Sequence, residues 1–412
     1  MKGKLVLFLI LFTLASSSGV AFAQWPMDGH DSGRSGYYSG VFSTSKDIYW
    51  QASFNTSVMD VVAGGDSIYV RLHNSTADQV VALNAATGAS RWTANVPRGL
   101  DDNLIITDNV LLVAHENGVV GLNMNGETAW EITTDNCDEG ILLNGDRLLL
   151  IDTYGISVYT LSSRMRLWGK TYMTDKFRSQ FVLSANAVYL QSANTLTAFD
   201  VSTGNVQYTK NVPVGGDANI VYADGKIYEG TNDGCLICID PNTGDKSWTF
   251  KTDGNLTGDL LPSAYTPAVG GGNLVFGAVD NKLYCLDESG NLKWKTSSVN
   301  LDYDDQPAIT DNLVYVIDSY DRLRCFDIAT GNELWKLSVT TNSLAASPIG
   351  APILFNGKIF GMTTAASSNH QYYVFNIIPE FTSYIAILLF ASATLLTVLL
   401  HQRKHRLCNA RR

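Results

Sequence analysis

Along most of the 412-residue chain, short apolar runs alternate with polar positions and are separated by turn residues. Leu313-Val314-Tyr315-Val316 and Lys226-Ile227-Tyr228 are examples, and such runs predict β-strands. Eight dipeptides punctuate them: Gly65-Asp66, Asp108-Asn109, Asn144-Gly145, Ala185-Asn186, Asp224-Gly225, Gly272-Asn273, Asp311-Asn312 and Asn356-Gly357. Residues of this kind suit the tight turns of hairpins. A second marker is an aromatic residue that recurs at Trp50, Trp92, Trp130, Trp168, Tyr208, Trp248, Trp294 and Trp335. The intervals are 42, 38, 38, 40, 40, 46 and 41 residues. A period near forty with strand content predicts a propeller or similar repeat array rather than separate domains. Each interval has room for four short antiparallel strands, which is one blade.

Asp-x-x-Thr-Gly-x-x-x-Trp precedes each marker in its clearest copies, at residues 236–248 and 323–335. The glycine four positions before the aromatic recurs as Gly88, Gly126, Gly204, Gly244, Gly290 and Gly331. The motif reads as the turn between the third and fourth strands, with Asp capping backbone amides and glycine taking the left-handed conformation. The aromatic, expected at the end of the fourth strand, offers a flat surface to wedge against the next blade. Before Trp168 the turn has decayed to Ser162-Ser163-Arg164. After Trp335 come a hairpin and Tyr372-Tyr373-Val374-Phe375-Asn376, with no further Trp. Residues at about 43–50 would then supply the missing strand to about 350–376, closing an eighth blade and removing exposed sheet edges. The expected fold is all-β: an eight-bladed β-propeller of four-stranded antiparallel blades over 24–378.

The two ends change that picture. Residues 1–23 carry Lys2 and Lys4, an apolar stretch and Ala21-Phe22-Ala23, the pattern of a secretory signal peptide. Residues 382–400 hold no charge, about the ~20 residues a transmembrane helix needs. The basic tail that follows places the C-terminus in the cytoplasm and the propeller outside. Seven basic residues belong to these ends, so the net charge of −10 hides 22 basic against 39 acidic residues between them, a net of −17. An acidic body argues against a nucleic-acid partner. Pro379-Glu380-Phe381, the apolar segment and the basic end together resemble the PEF-type C-terminal sorting signal of archaeal surface proteins. That resemblance implies a membrane anchor or its enzymatic exchange at the cell surface. Asn55, Asn74 and Asn255 stand in Asn-x-Ser/Thr sequons and permit glycosylation of an exported chain.

The repeat resembles the tryptophan-docking motif of pyrroloquinoline-quinone-like propellers over residues 25 to about 376. Residues 25–31 with Arg34-Ser35-Gly36 look like the lead-in before the first blade of many members. The quinone enzymes of that family hold their cofactor in the axis with Ca²⁺, a catalytic Asp and often a disulfide of adjacent cysteines. No two cysteines are adjacent here. Cys238, Cys285 and Cys325 share one repeat position with Ala82 and Ala198, which reads as a small buried site. Cys235 and Cys238 are three apart on a strand and point to opposite faces, and Cys137 and Cys408 have no evident disulfide partner. The oxygen-rich run from Asp253 to Asp259 lacks the twelfth-position Glu of a calcium loop, since Ala264 stands there. Asp302-Tyr303-Asp304-Asp305 reads as a solvated acidic loop, and His30, His73, His115 and His370 lack metal-ligand spacing. No catalytic, cofactor or metal residues are therefore assigned.

The resulting expectation is a non-enzymatic, membrane-anchored, monomeric ring at the cell surface that binds protein or glycan partners and no cofactor. Two alternatives stand beside it: a quinone- or metal-dependent oxidoreductase using the propeller axis, and an envelope-protein assembly factor.

Overall fold

The protein is described by a computed structural model at residues 26–27, 29–40, 42, 48–73, 77–99, 104–134, 137, 140–152, 155–171, 180–192, 194–212, 220–254, 265–299, 301, 306–320, 322–338, 352–365 and 371–377. The signal segment, Asn74, Asn255, Pro379-Glu380-Phe381 and the 382–400 segment lie outside these residues. No helix among the described residues is long and apolar enough to cross a membrane.

Among the described residues, thirty-two strands follow one another. β1 is Ile48–Phe54. The first blade is β2 (Ser57–Gly64), β3 (Ser67–His73), β4 (Asp78–Asn84) and β5 (Ser90–Val96). The second is β6 (Leu104–Ile106), β7 (Val110–His115), β8 (Gly118–Asn123) and β9 (Thr128–Thr133). The third is β10 (Gly140–Asn144), β11 (Arg147–Asp152), β12 (Gly155–Thr160) and β13 (Met165–Thr171). The fourth is β14 (Gln180–Leu183), β15 (Ala187–Ser192), β16 (Thr195–Asp200) and β17 (Val206–Asn211). The fifth is β18 (Val221–Ala223), β19 (Lys226–Gly230), β20 (Cys235–Ile239) and β21 (Lys246–Lys251). The sixth is β22 (Ala268–Gly270), β23 (Asn273–Gly277), β24 (Leu283–Leu286) and β25 (Leu292–Lys295). The seventh is β26 (Ala308–Ile309), β27 (Leu313–Asp318), β28 (Arg322–Asp327) and β29 (Glu333–Ser338). The last strands are β30 (Ile353–Phe355), β31 (Lys358–Ala365) and β32 (Gln371–Ile377).

These form eight four-stranded antiparallel sheets, seven in sequence order and one ordered β1-β32-β31-β30. The protein is a β-propeller in which the two ends of the repeat array share a sheet. Trp50 pairs with Asn376, and Phe54 with Tyr372. Three hairpin turns, at Asp224-Gly225, Gly271-Gly272 and Asn356-Gly357, have positive φ at both central residues, as the tightest hairpins require.

The burial pattern departs from simple alternation. In the second strand of a blade nearly every residue is buried, as in β27, Leu313–Asp318. Each blade is covered on both faces by its neighbours, so its inner strands are apolar on both faces. Only the outermost strands alternate, as β21 does from Lys246 to Lys251. The ring closes through one apolar cluster joining Val58, Tyr315, Phe355 and Phe360. Phe355 and Phe360 are fully buried, worth about 1.5–3 kcal/mol each.

The aromatic markers lie elsewhere on the fourth strand than the sequence suggests. Trp92 is third in β5 and Trp248 third in β21, and neither ends its strand. The Asp-x-x-Thr-Gly turn is tight enough that the fourth strand begins almost at once. A bulge beside the aromatic then sets it opposite a small third-strand residue: Ala82 faces Trp92, Cys238 faces Trp248, Cys285 faces Trp294 and Cys325 faces Trp335. The shared repeat position of the cysteines therefore makes room for the ring opposite.

Candidate functional site

The seams between blades are built by the repeat itself. In six of the turns the Asp or Asn carboxyl or amide oxygen accepts backbone amides, as Asp200 Oδ1 does from Thr203 at 2.8 Å and Asp327 Oδ1 from Thr330 at 2.8 Å. The aromatic of the preceding blade then donates to the carbonyl just after that residue. Trp50 Nε1 donates to Ala85 at 3.2 Å, Trp92 to Met124 at 2.8 Å, Trp168 to Val201 at 2.8 Å, Trp248 to Glu288 at 3.1 Å and Trp294 to Ile328 at 2.7 Å. Where Trp is replaced by Tyr208, its hydroxyl reaches the Pro241 carbonyl at 2.9 Å.

The turn glycines sit flat under these rings. A Cβ on Gly88, Gly126, Gly204, Gly244, Gly290 or Gly331 would fall 2.5–2.7 Å from a ring atom of Trp50, Trp92, Trp168, Tyr208, Trp248 or Trp294 respectively. Two seams differ. In the decayed turn Arg164 takes the left-handed conformation, φ 58, and its guanidinium lies 5.8 Å from the Trp130 ring centroid. Trp335 is buried against Tyr315, and its Nε1 has no acceptor among the described residues.

One end of the ring carries a strap. Carbonyls of the lead-in accept the innermost strands one after another: Ile106 donates to Pro26 at 2.8 Å, Leu183 to Ser32 at 2.8 Å, Tyr222 to Gly33 at 2.8 Å, Val269 to Ser35 at 2.7 Å and Ile309 to Gly36 at 2.9 Å. Asp31 stiffens it, accepting Gly33 N and Ser35 N at 3.0 Å and the Ser35 hydroxyl at 2.6 Å. Tyr37 donates its hydroxyl to Asp311 at 2.5 Å. Beside the strap lies a cavity of about 330 Å³, lined among others by Asp31, Ser32, Tyr37, Asn144, Tyr222 and Asp224. The strap crosses the end where first and second strands turn, so loops between second and third strands lie at the opposite end.

That opposite end holds the buried charges. Asp78, fully buried, takes Arg71 Nη2 at 2.8 Å, Gly99 N at 3.1 Å and His73 Nδ1 at 2.7 Å. Arg71 also donates to the Ala114 carbonyl of the second blade at 2.7 Å. Arg98 Nη2 stands 3.3 Å from His73 Nε2. Arginine can only donate, so His73 carries its proton on Nδ1, toward Asp78. In the seventh blade Asp318 holds Arg322 at 2.7 Å, and Arg324 holds Glu333 at 2.5 Å. In the fifth and sixth blades Lys282 and Lys295 converge on Asp253. Their hydrogen bonds hold its carboxyl down to about 2. Asp253, the first oxygen of the sequence's calcium-like run, is thus engaged by two ammonium groups.

Other sequence candidates are placed as follows. Asn55 is exposed on the bend between β1 and β2. Cys137, Cys235, Cys238, Cys285 and Cys325 are buried free thiols. Burial pushes Cys238 up to about 11 and Cys285 up to about 12. His30 lies in the strap, 3.5 Å from Asp31, and burial lowers the pKa of His115. Among the described residues, no three His, Cys, Asp or Glu side chains gather as a metal site. Sequence reasoning missed Arg71, Asp78, Gln191, Glu229 and Asp318. For all but Asp78, which opens a third strand, the signal was a lone charged or amide side chain in an apolar second-strand run, as in Tyr69-Val70-Arg71-Leu72 and Ile227-Tyr228-Glu229.

Comparison with known proteins adds the following. The profile of the family described as outer membrane protein assembly factor BamB matches residues 41–250 and 193–370. The outer membrane protein assembly factor BamB of Nitrosomonas eutropha is 26% identical over 140 residues, 34% of this chain and 32% of that protein. The match thus spans about a third of that relative's length. BamB from Moraxella catarrhalis superposes with a TM-score of 0.58 at 14% identity, covering 80% of this chain and 99% of that one. A europium-containing methanol dehydrogenase superposes at 0.65 and 11% identity, covering 86% and 98%. Likeness at these identities establishes a shared fold alone.

Proposed function

The chain belongs to the outer membrane protein assembly factor BamB family, and from that premise we propose that it is a non-enzymatic assembly factor of the cell envelope that holds protein partners on a rigid ring. The family match over 41–370 carries this reading. The layout of charge supports it. Strap residues are spent on the innermost strands, which leaves the opposite loops as the open surface. The charges described there pair with one another, as in Asp78 with Arg71 and Asp318 with Arg322. Paired charges fix the positions from which loops emerge, and loops on a rigid scaffold are where recognition resides. In this proposal the 1–23 segment exports the chain, and 382–400 tethers it with the propeller outside.

The test is crosslinking in intact cells through a photoreactive residue at Tyr320, an exposed position in the loop between β27 and β28. Capture of envelope proteins, whose folded amounts drop when the gene is deleted, is the expected result. An unchanged envelope-protein profile on deletion would overturn the reading. So would a large rise in melting temperature on adding Ca²⁺ with the quinone, because ligands specific for the native state stabilise it by mass action.

A further inference from the structure

Gln191 and Glu229 meet across the seam between the fourth and fifth blades. Both side chains are buried, with relative exposures of 5% and 0%. The Gln191 Nε2 amide donates to Glu229 Oε1. One oxygen remains on each side chain, Gln191 Oε1 and Glu229 Oε2, and both are buried without a hydrogen-bond partner among the described residues. With an ionised carboxylate both orphans are acceptors, and neither can satisfy the other. Protonating Glu229 Oε2 turns it into a donor, and the unsatisfied acceptor Gln191 Oε1 belongs to the same carboxamide that already bonds Glu229 Oε1, so one proton can pair both orphans.

We propose that Glu229 is a neutral carboxylic acid, locked to the carboxamide of Gln191 in a ring of two hydrogen bonds, and that this pair is a pH-sensitive clasp between two blades.

The surroundings fit a neutral acid. The seam around the pair is the apolar cluster of Val182, Leu196, Ile227 and Ile237. The ionisable groups on the pair's own strands and the packed elements are Tyr189 on β15, Asp200 on β16, Tyr222 on β18, Lys226 and Tyr228 on β19, and Cys235 and Cys238 on β20. In the β19–β20 turn Asp233 takes the Cys235 thiol and the Thr231 hydroxyl, and Lys251 on β21 lies near Asp233. None of these supplies a cation to Glu229 among the described contacts. Burial, opposed only by the Gln191 hydrogen bond, pushes the carboxyl up to about 8. The sign follows. A carboxyl raised in the folded state contributes stability that is fully present below the ordinary glutamate range. That contribution falls away as pH rises from there through about 8.

The experiment is thermal melting of the full chain from pH 5 to pH 9, beside Glu229→Gln, which keeps the shape and cannot ionise. The expected result is a fall of roughly 5 °C in the parent chain between pH 5 and pH 8 that the variant lacks. Parallel pH profiles for the two proteins would overturn the proposal. Should the variant fail to fold, carbon NMR of the parent labelled at glutamate carboxyls decides. One carboxyl titrating near pH 8 supports the clasp, and none doing so refutes it.

Discussion

Gly331→Ala measures how much of the ring's stability resides in a single seam. Gly331 has φ 71, and a non-glycine residue in that conformation costs about 1 kcal/mol. The new Cβ would lie 2.5 Å from Trp294 Cε3 and 2.6 Å from Cδ2, so the indole must retreat by about 1 Å to reach ordinary contact. That retreat strains the 2.7 Å bond from Trp294 Nε1 to the Ile328 carbonyl, worth about 1 kcal/mol. Overpacking of a closely fitted contact adds about 1–2 kcal/mol. The sum is about 3–4 kcal/mol. The control is Gly225→Ala, in a hairpin turn with φ 70 and nothing within 4 Å of the added Cβ. It carries the conformational cost alone, about 1 kcal/mol. An unfolding entropy near 2.1 cal/mol/K per residue over a ring of roughly 330 residues converts these to falls of about 5 °C and 1–2 °C. Scanning calorimetry on both variants reads the difference. Equal shifts would refute the argument that the indole rests on the turn glycine.

Three further outcomes follow from the same contacts. Asp78→Ala leaves Arg71 buried without its anion and should cost about 3–5 kcal/mol in urea unfolding, whereas replacing both Arg71 and Asp78 by Leu should recover most of that loss. Cys238, Cys285 and Cys325 should resist a thiol reagent in the native ring and react on unfolding, because burial keeps each thiol protonated; rapid native labelling would contradict their placement opposite the indoles. The Asp253 carboxyl is depressed by Lys282 and Lys295, so its contribution is present above the ordinary aspartate range and lost as pH falls toward about 2. Replacing Asp253 by Asn should flatten that acid limb, and added salt should weaken it in the parent chain.

The repeat was legible because it is local. Turn residues, glycine and aromatic spacing are each set by neighbours within a dozen positions, and a chain of such units has few ways to bury its faces other than stacking them. Four strands per unit and the pairing of residues near 50 with those near 376 both follow from that logic. The strap's lead-in was visible as a motif, but not its path across five innermost strands.

What the sequence could not carry is anything that depends on which residues of different blades face one another. Arg71 with Ala114, Gln191 with Glu229 and Lys295 with Asp253 are separated by 43, 38 and 42 positions, close to one repeat apart. Arg71, Gln191 and Glu229 each read locally as a lone polar side chain in an apolar run, with nothing nearby in sequence to name its partner. Gly331 reads as a turn glycine like Gly225, and only the seam reveals that one supports an indole while the other faces open space. The sequence by itself determined the unit and its repetition, through short-range sterics and hydrophobic period. Tertiary structure decided which polar groups of neighbouring blades meet, because ring closure sets the register between blades and in these three pairs no single blade contains both partners.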